Sequence, residues 1–191
     1  MNLRLLRLVL SFFVVALGGV LVTLVVLDRE PAPIAIPAPP ALGEFLPATT
    51  RGAPIELGFQ DAVGAARELA EFRGRVVLIN LWATWCAPSI TEMPALDRLQ
   101  AKLGGPDFEI VAIALDRQGE RLVRPFFDKL GLTRLALYLD PGNSASRKLN
   151  ARGLPISVLV DRSGREIGRV LGPAQWDAGA FETIVRAALA R

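Results

Sequence analysis

The stretch NLWATWCAPSITEMP, residues 80–94, joins an apolar run to the chain's single cysteine, Cys86, and then to a helix-forming segment. Toward the N-terminus, VVLINLW at 76–82 is almost continuously apolar, the pattern of a central strand covered on both faces. Toward the C-terminus, residues 87–103 place Met93, Leu96, Leu99 or Gln100, and Leu103 at helical spacing. Pro88 falls in the first turn of that helix, where a missing amide costs little. Cys86 therefore stands at a strand-to-helix junction. Pro94 lies inside the helix and removes the bond that would reach the Ile90 carbonyl, so a kink is expected just after the first turn.

Beyond this stretch the pattern alternates. Strands are expected at 108–115, 135–139, 155–161 and 166–171, and helices at 119–130, 143–151 and 175–190. DRSG at 161–164 supplies turn chemistry between the last two strands, which read as an antiparallel hairpin. The sum is an α/β chain with a mixed central sheet and helices on both faces.

Composition narrows the function classes. With 191 residues, 51% hydrophobic and 21% charged, the chain holds one ordinary domain and a short appendage. A formal charge of +3 arises from scattered Arg and Lys, without a basic run or interleaved aromatics, so nucleic acid is not an expected partner. One Cys excludes an intramolecular disulfide, and the absence of His removes both the commonest metal ligand and the usual general base. Neither a metal nor a cofactor is expected, and thiol chemistry must proceed without imidazole.

The N-terminal region reads as an address. Residues 1–7 carry Arg4 and Arg7, and residues 8–27 follow as an uncharged run whose helical length, at about 1.5 Å per residue, matches a bilayer core of roughly 30 Å. No A-x-A site follows Leu27, which favours a retained transmembrane anchor over a cleaved signal peptide. The positive-inside bias leaves residues 1–7 cytoplasmic and sends the rest outward. Residues 28–42 form a Pro-rich linker, with five prolines in PAPIAIPAPPAL, and residues 43–191 form the globular domain.

NLWATWCAPS with TEMP, followed about seventy residues later by GLPISVLVDRSGREIGRVLGPAQW, resembles the membrane-anchored, thioredoxin-like thiol:disulfide oxidoreductases of the TlpA/ResA type, closest to TlpA. The resemblance covers most of residues 43–191, including an extra helix and strand before the helix at 143–151. It implies a thioredoxin-like fold preceded by one transmembrane helix, in a bacterial inner membrane with the C-terminal domain in the periplasm. Cysteine-containing periplasmic clients are the implied partners, along with a membrane-embedded thiol-disulfide electron donor and a role in cytochrome c or oxidase assembly.

The same resemblance gives Cys86 the nucleophilic role, and a helix N-terminus is where amides and the helix dipole lower a thiol's pKa. Trp85 and Pro88 argue for an exposed helix tip and, by the same resemblance, join Leu154 and Pro155 as substrate-binding residues. Pro155 is the implied cis-proline facing the cysteine, presenting the Leu154 backbone to an extended client. Glu92 matches an acidic residue near the family's active site; it shares a stripe with Leu96, Leu99 and Leu103, so burial should raise its pKa and suit proton transfer. Trp82 and Phe72 read as packing or wall residues.

Ser89 departs from the family pattern. A dithiol enzyme releases its partner by attack of the second thiolate, which a serine hydroxyl cannot perform, although it could donate a hydrogen bond to the Cys86 thiolate. Ile90 also replaces a usual basic residue. Three readings follow: a monothiol oxidoreductase resolved by an external thiol, a client-binding module without turnover, and a peroxidase. The last is weakened because Ala83 stands where a peroxidatic site carries threonine.

Overall fold

The computed structural model describes residues 43–191; the expected cytoplasmic segment 1–7, anchor 8–27 and linker 28–42 lie outside them. Among the described residues no helix is long and apolar enough to cross a membrane. These residues form one mixed eight-stranded sheet, ordered β1-β8-β7-β4-β5-β6-β2-β3. The strands are β1 (Phe45–Pro47), β2 (Gly58–Asp61), β3 (Ala66–Glu68), β4 (Val76–Trp82), β5 (Phe108–Ala114), β6 (Tyr138–Leu139), β7 (Ile156–Val160) and β8 (Glu166–Leu171). The helices are α1 (Ala87–Leu103), α2 (Glu120–Leu130), α3 (Ser144–Lys148) and α4 (Gly179–Leu189).

β4 is the middle of the sheet. It pairs in parallel with β5 and antiparallel with β7, and all seven of its residues are buried, as expected of a strand covered on both faces. Its alternating side chains feed two cores. Val76, Leu78 and Trp82 join Met93, Leu96 and Leu99 of α1, Val123 and Phe127 of α2, and Val185 and Ala188 of α4. Val77, Ile79 and Leu81 face the other way, toward Phe59, Phe72, Ala145 and Leu149. Helices thus cover both faces, the second one only through short α3 and a 3₁₀ turn, Leu69–Phe72.

Several boundaries differ from expectation for local reasons. α1 keeps its expected bounds, Ala87–Leu103, with Pro94 inside it, whereas other elements are shorter. β6 is limited to Tyr138–Leu139 because the amides of Arg134 and Leu135 are held by Asp97 Oδ1 at 2.8 and 3.0 Å, not by a neighbouring strand. Left-handed Asn143 and Asn150, at φ 55° and 52°, bracket α3 and shorten the expected 143–151 helix. The final helix begins at Gly179. β1, β2 and β3 were not expected from the sequence pattern.

Candidate active site

Cys86 is the N-cap of α1, directly after β4 ends at Trp82 and a short turn closes from Cys86 N to Ala83 O at 3.1 Å. Its carbonyl accepts the Ile90 amide at 3.1 Å, so the cysteine backbone starts the helix. The helix amides not used by that first turn are the groups that favour negative charge at this end. The thiol is not at an exposed tip. Cys86 retains 9% of its surface, while the adjoining Trp85 retains 70%. Pro88 is exposed at the start of α1.

The partner of the thiol is Leu154. Cys86 Sγ donates to the Leu154 carbonyl at 3.5 Å, and the Leu154–Pro155 bond is cis. Pro155 is buried, at the start of β7, and its carbonyl accepts the Gly172 amide at 2.9 Å, fixing the segment against the end of β8. The structure thus brings Trp85, Cys86, Leu154 and Pro155 together.

Ser89 does not make the bond expected of it. It is fully buried on the sheet-facing side of α1, and its Oγ has no hydrogen-bond partner among the described residues. The anticipated hydroxyl-to-sulfur bond is absent; the contact the thiol makes is to the Leu154 carbonyl. Asn80 Oδ1 and Trp82 Nε1 are likewise buried without partners. Buried polar atoms are normally satisfied, so three unpaired ones on β4 and α1 set this layer apart from the surrounding core.

Glu92 is the best-connected polar group of the same layer. It is 3% exposed. Asn80 Nδ2 donates to its Oε1 at 2.8 Å; the Ala174 amide and Trp176 Nε1 both donate to its Oε2 at 2.9 Å. Asn80 Nδ2 also donates to Ser157 Oγ at 2.9 Å. Burial pushes the Glu92 carboxyl up to about 7, and the bonds from Ala174, Trp176 and Asn80 oppose that shift by favouring the charged form. The carboxyl therefore changes charge near neutral pH, with Asn80, Trp176 and the Ala174 amide as its direct partners and Ser157 behind Asn80.

Those neighbours were missed by sequence reading. Asn80 is hidden as one polar letter inside VVLINLW, and Ser157 likewise inside PISVLVD. Trp176 carried the one usable signal: a large aromatic residue whose indole N–H, once buried, requires an acceptor. Trp82 is fully buried against Phe127, ring centroids 5.9 Å apart, and Phe72 belongs to the opposite core, so only Trp85 of the three aromatics forms a wall of the site.

Trp85 and Leu154 also bound a cleft of about 590 Å³ that continues past Asp116, Arg117, Asn143 and Arg152. Asp116 is 1% exposed and accepts from Thr84 N at 3.0 Å and Thr84 Oγ1 at 2.6 Å, which ties the loop after β5 to the turn before Cys86. Among the described residues no cluster of His, Cys, Asp or Glu is arranged to hold a metal ion.

Known proteins resemble this chain in sequence and in fold. Thiol-disulfide oxidoreductase ResA of Bacillus anthracis is 30% identical over 112 residues, covering 59% of this chain and 64% of the relative. Thioredoxin-like protein YneN of Bacillus subtilis is 33% identical over 103 residues, covering 53% and 59%. The chain thus spans less than two thirds of these relatives' length. Among solved structures, a thiol:disulfide interchange protein DsbE from Chlorobium tepidum superposes with a TM-score of 0.66 at 26% identity, over 74% of this chain and 99% of that one. The Redoxin family profile matches residues 42–186, which contain the thiol, the cis-proline, the buried carboxyl and the whole sheet, and the chain belongs to that family.

Proposed function

We propose that this protein carries out monothiol thiol-disulfide exchange on cysteine-containing clients. The observation that carries the reading is the contact of Cys86 Sγ with the Leu154 carbonyl beside cis Pro155, at the N-terminus of α1. The Cys86 thiolate attacks one sulfur of a client disulfide, forming a Cys86–client disulfide and releasing the other client sulfur as a thiolate. The client strand pairs along the Leu154 backbone. Ser89 has no sulfur to displace the client, so an external thiol breaks the mixed disulfide. Glu92 exchanges protons with the site, a role supported by its burial and its pKa near 7.

The similarity to ResA and DsbE supports oxidoreductase activity, and the C-x-x-S spacing distinguishes the mode of release. Together with the apolar run at 8–27, it supports a single-pass inner-membrane protein with its domain in the periplasm, recharged by a membrane thiol-disulfide donor and serving cytochrome c or oxidase assembly. A second reading, client capture without turnover, is favoured by the low exposure of Cys86. A coupled assay with a mixed-disulfide substrate separates the two: exchange requires turnover that disappears in Cys86→Ala, whereas capture requires affinity that persists in that variant with no turnover in the parent. Non-reducing gels of membranes, with adducts identified by mass spectrometry, name the clients.

A further inference from the structure

The exchange reading leaves one reactant without a place: the thiol that releases the client. It cannot come from this chain, whose only cysteine is Cys86. We propose that the cleft beside Cys86 is the seat of that second thiol, and that it takes a small thiol bearing carboxylates.

Three features of the cleft carry this. Its rim is set by Trp85 and Leu154, the residue before Cys86 in sequence and the acceptor of its thiol in space, so the cleft opens at the two residues that flank the sulfur. Its volume, about 590 Å³, falls within the range of roughly 300–1,000 Å³ that encloses small ligands. Its charge is positive. Arg117 and Arg152 line it, and among the described residues neither makes an ion pair or a side-chain hydrogen bond, although most arginines elsewhere on the domain do. The single carboxylate in the lining, Asp116, is buried and occupied by Thr84, leaving the two guanidinium groups uncompensated. Guanidinium groups bind carboxylates through paired N–H donors, and Asn143 adds an amide to the same wall.

The inference rests on the exchange reading, and its chemistry balances. The cleft-bound thiolate attacks Cys86 Sγ of the mixed disulfide; the Cys86–client bond breaks, the client leaves as a thiolate, and a Cys86–small-thiol disulfide forms. A second molecule of the same thiol attacks the small-thiol sulfur, frees the Cys86 thiolate and leaves as a symmetrical disulfide. Two small thiols are oxidised, and the client disulfide is reduced.

The test uses the full chain in detergent with Cys86 loaded as a mixed disulfide with 2-nitro-5-thiobenzoate, whose release is followed by absorbance. Glutathione, with two carboxylates, is compared with uncharged 2-mercaptoethanol. Release by glutathione is expected to saturate, and the double variant Arg117→Ala, Arg152→Ala is expected to lose about five- to tenfold more rate with glutathione than with 2-mercaptoethanol, a difference that shrinks at high salt. Equal losses with both thiols, or none with either, overturn the cleft assignment while leaving the exchange reading intact. Saturation only by a longer acidic peptide thiol assigns the cleft to a protein client and also overturns it. A Cys86 that accepts no label overturns both.

Discussion

Trp176 Nε1 and Glu92 Oε2 lie 2.9 Å apart, joining the turn before α4 to the buried face of α1 across a sequence separation of 84 residues. The indole donor holds a carboxyl that burial would otherwise keep neutral. Trp176→Phe keeps an aromatic ring but removes this donor and part of the buried indole, so the Glu92 pKa should rise further, and stability at pH 8 should fall by at least about 1.5–3 kcal/mol, the range for hydrogen bonds to charged groups. Denaturant unfolding at pH 5 and pH 8 checks this: the loss should be larger at the higher pH.

The wild-type protein should itself show a pH-dependent stability from Glu92. Its carboxyl titrates at about 7 in the folded chain against 4.5 for an unperturbed glutamate, so the folded state holds a proton that the unfolded state has released. The contribution is fully present below pH 4.5 and is lost as pH rises through about 7, amounting to about 3 kcal/mol at 1.36 kcal/mol per pKa unit. Glu92→Gln should flatten this slope at a stability loss of only about 1 kcal/mol. Its amide oxygen can take the Ala174 and Trp176 donors, while its NH₂ faces Asn80, whose unpaired Oδ1 becomes the acceptor once the Asn80 amide turns over. Glu92→Ala should cost about 3 kcal/mol or more, because it strands buried donors. Unfolding curves at several pH values distinguish the three proteins.

Ser89→Cys supplies a second sulfur three residues after Cys86. The serine site is fully buried with an unpartnered Oγ, so the larger, less polar sulfur removes an unsatisfied hydroxyl from the core. The lifetime of a Cys86–client disulfide should then become independent of added thiol and shorten by at least about tenfold, as expected when a resolving thiolate is intramolecular. Quenched-flow trapping measures this, and an unchanged dependence on external thiol would contradict the role given to Ser89.

Gly168 tests how β1 is docked. A Cβ at this position would lie 2.5 Å from Phe45 Cζ and 2.6 Å from the Leu46 carbonyl oxygen. Gly168→Ala should therefore push β1 from β8 and destabilise the domain by about 1–3 kcal/mol, the usual range for overpacking. Hydrogen exchange at Ala48, whose amide donates to Ile167 O at 2.9 Å, should report the loosening locally.

The parts of the fold legible in the sequence were those with a long, consistent period. VVLINLW became β4 at its expected bounds, residues 87–103 became α1, and the DRSG turn joined β7 to β8. The strands that escaped notice, β1, β2 and β3, have only three or four residues and mixed exposure, too few for alternation to register. Cys86, Leu154 and Pro155 could be marked by motif, but the setting of Glu92 could not. Its partners come from β4, the turn before α4 and, through Asn80, β7, and only the sheet order places those segments beside one another. Ser89 shows the same limit in reverse: its spacing from Cys86 suggested a bond to sulfur, whereas its buried hydroxyl has no hydrogen-bond partner.

The brevity of β1 and β3 has a further effect, because these strands form the two borders of the sheet among the described residues. A border strand with many free amides and carbonyls invites copies of a protein to join edge to edge. Here each border offers a run of only three residues, and β1 begins two residues after left-handed Gly43, which turns the chain sharply there. Long, register-matched stacking of one molecule on another finds little template at either rim. The client strand proposed to pair at Leu154 would thus meet a domain guarded at its margins against receiving itself.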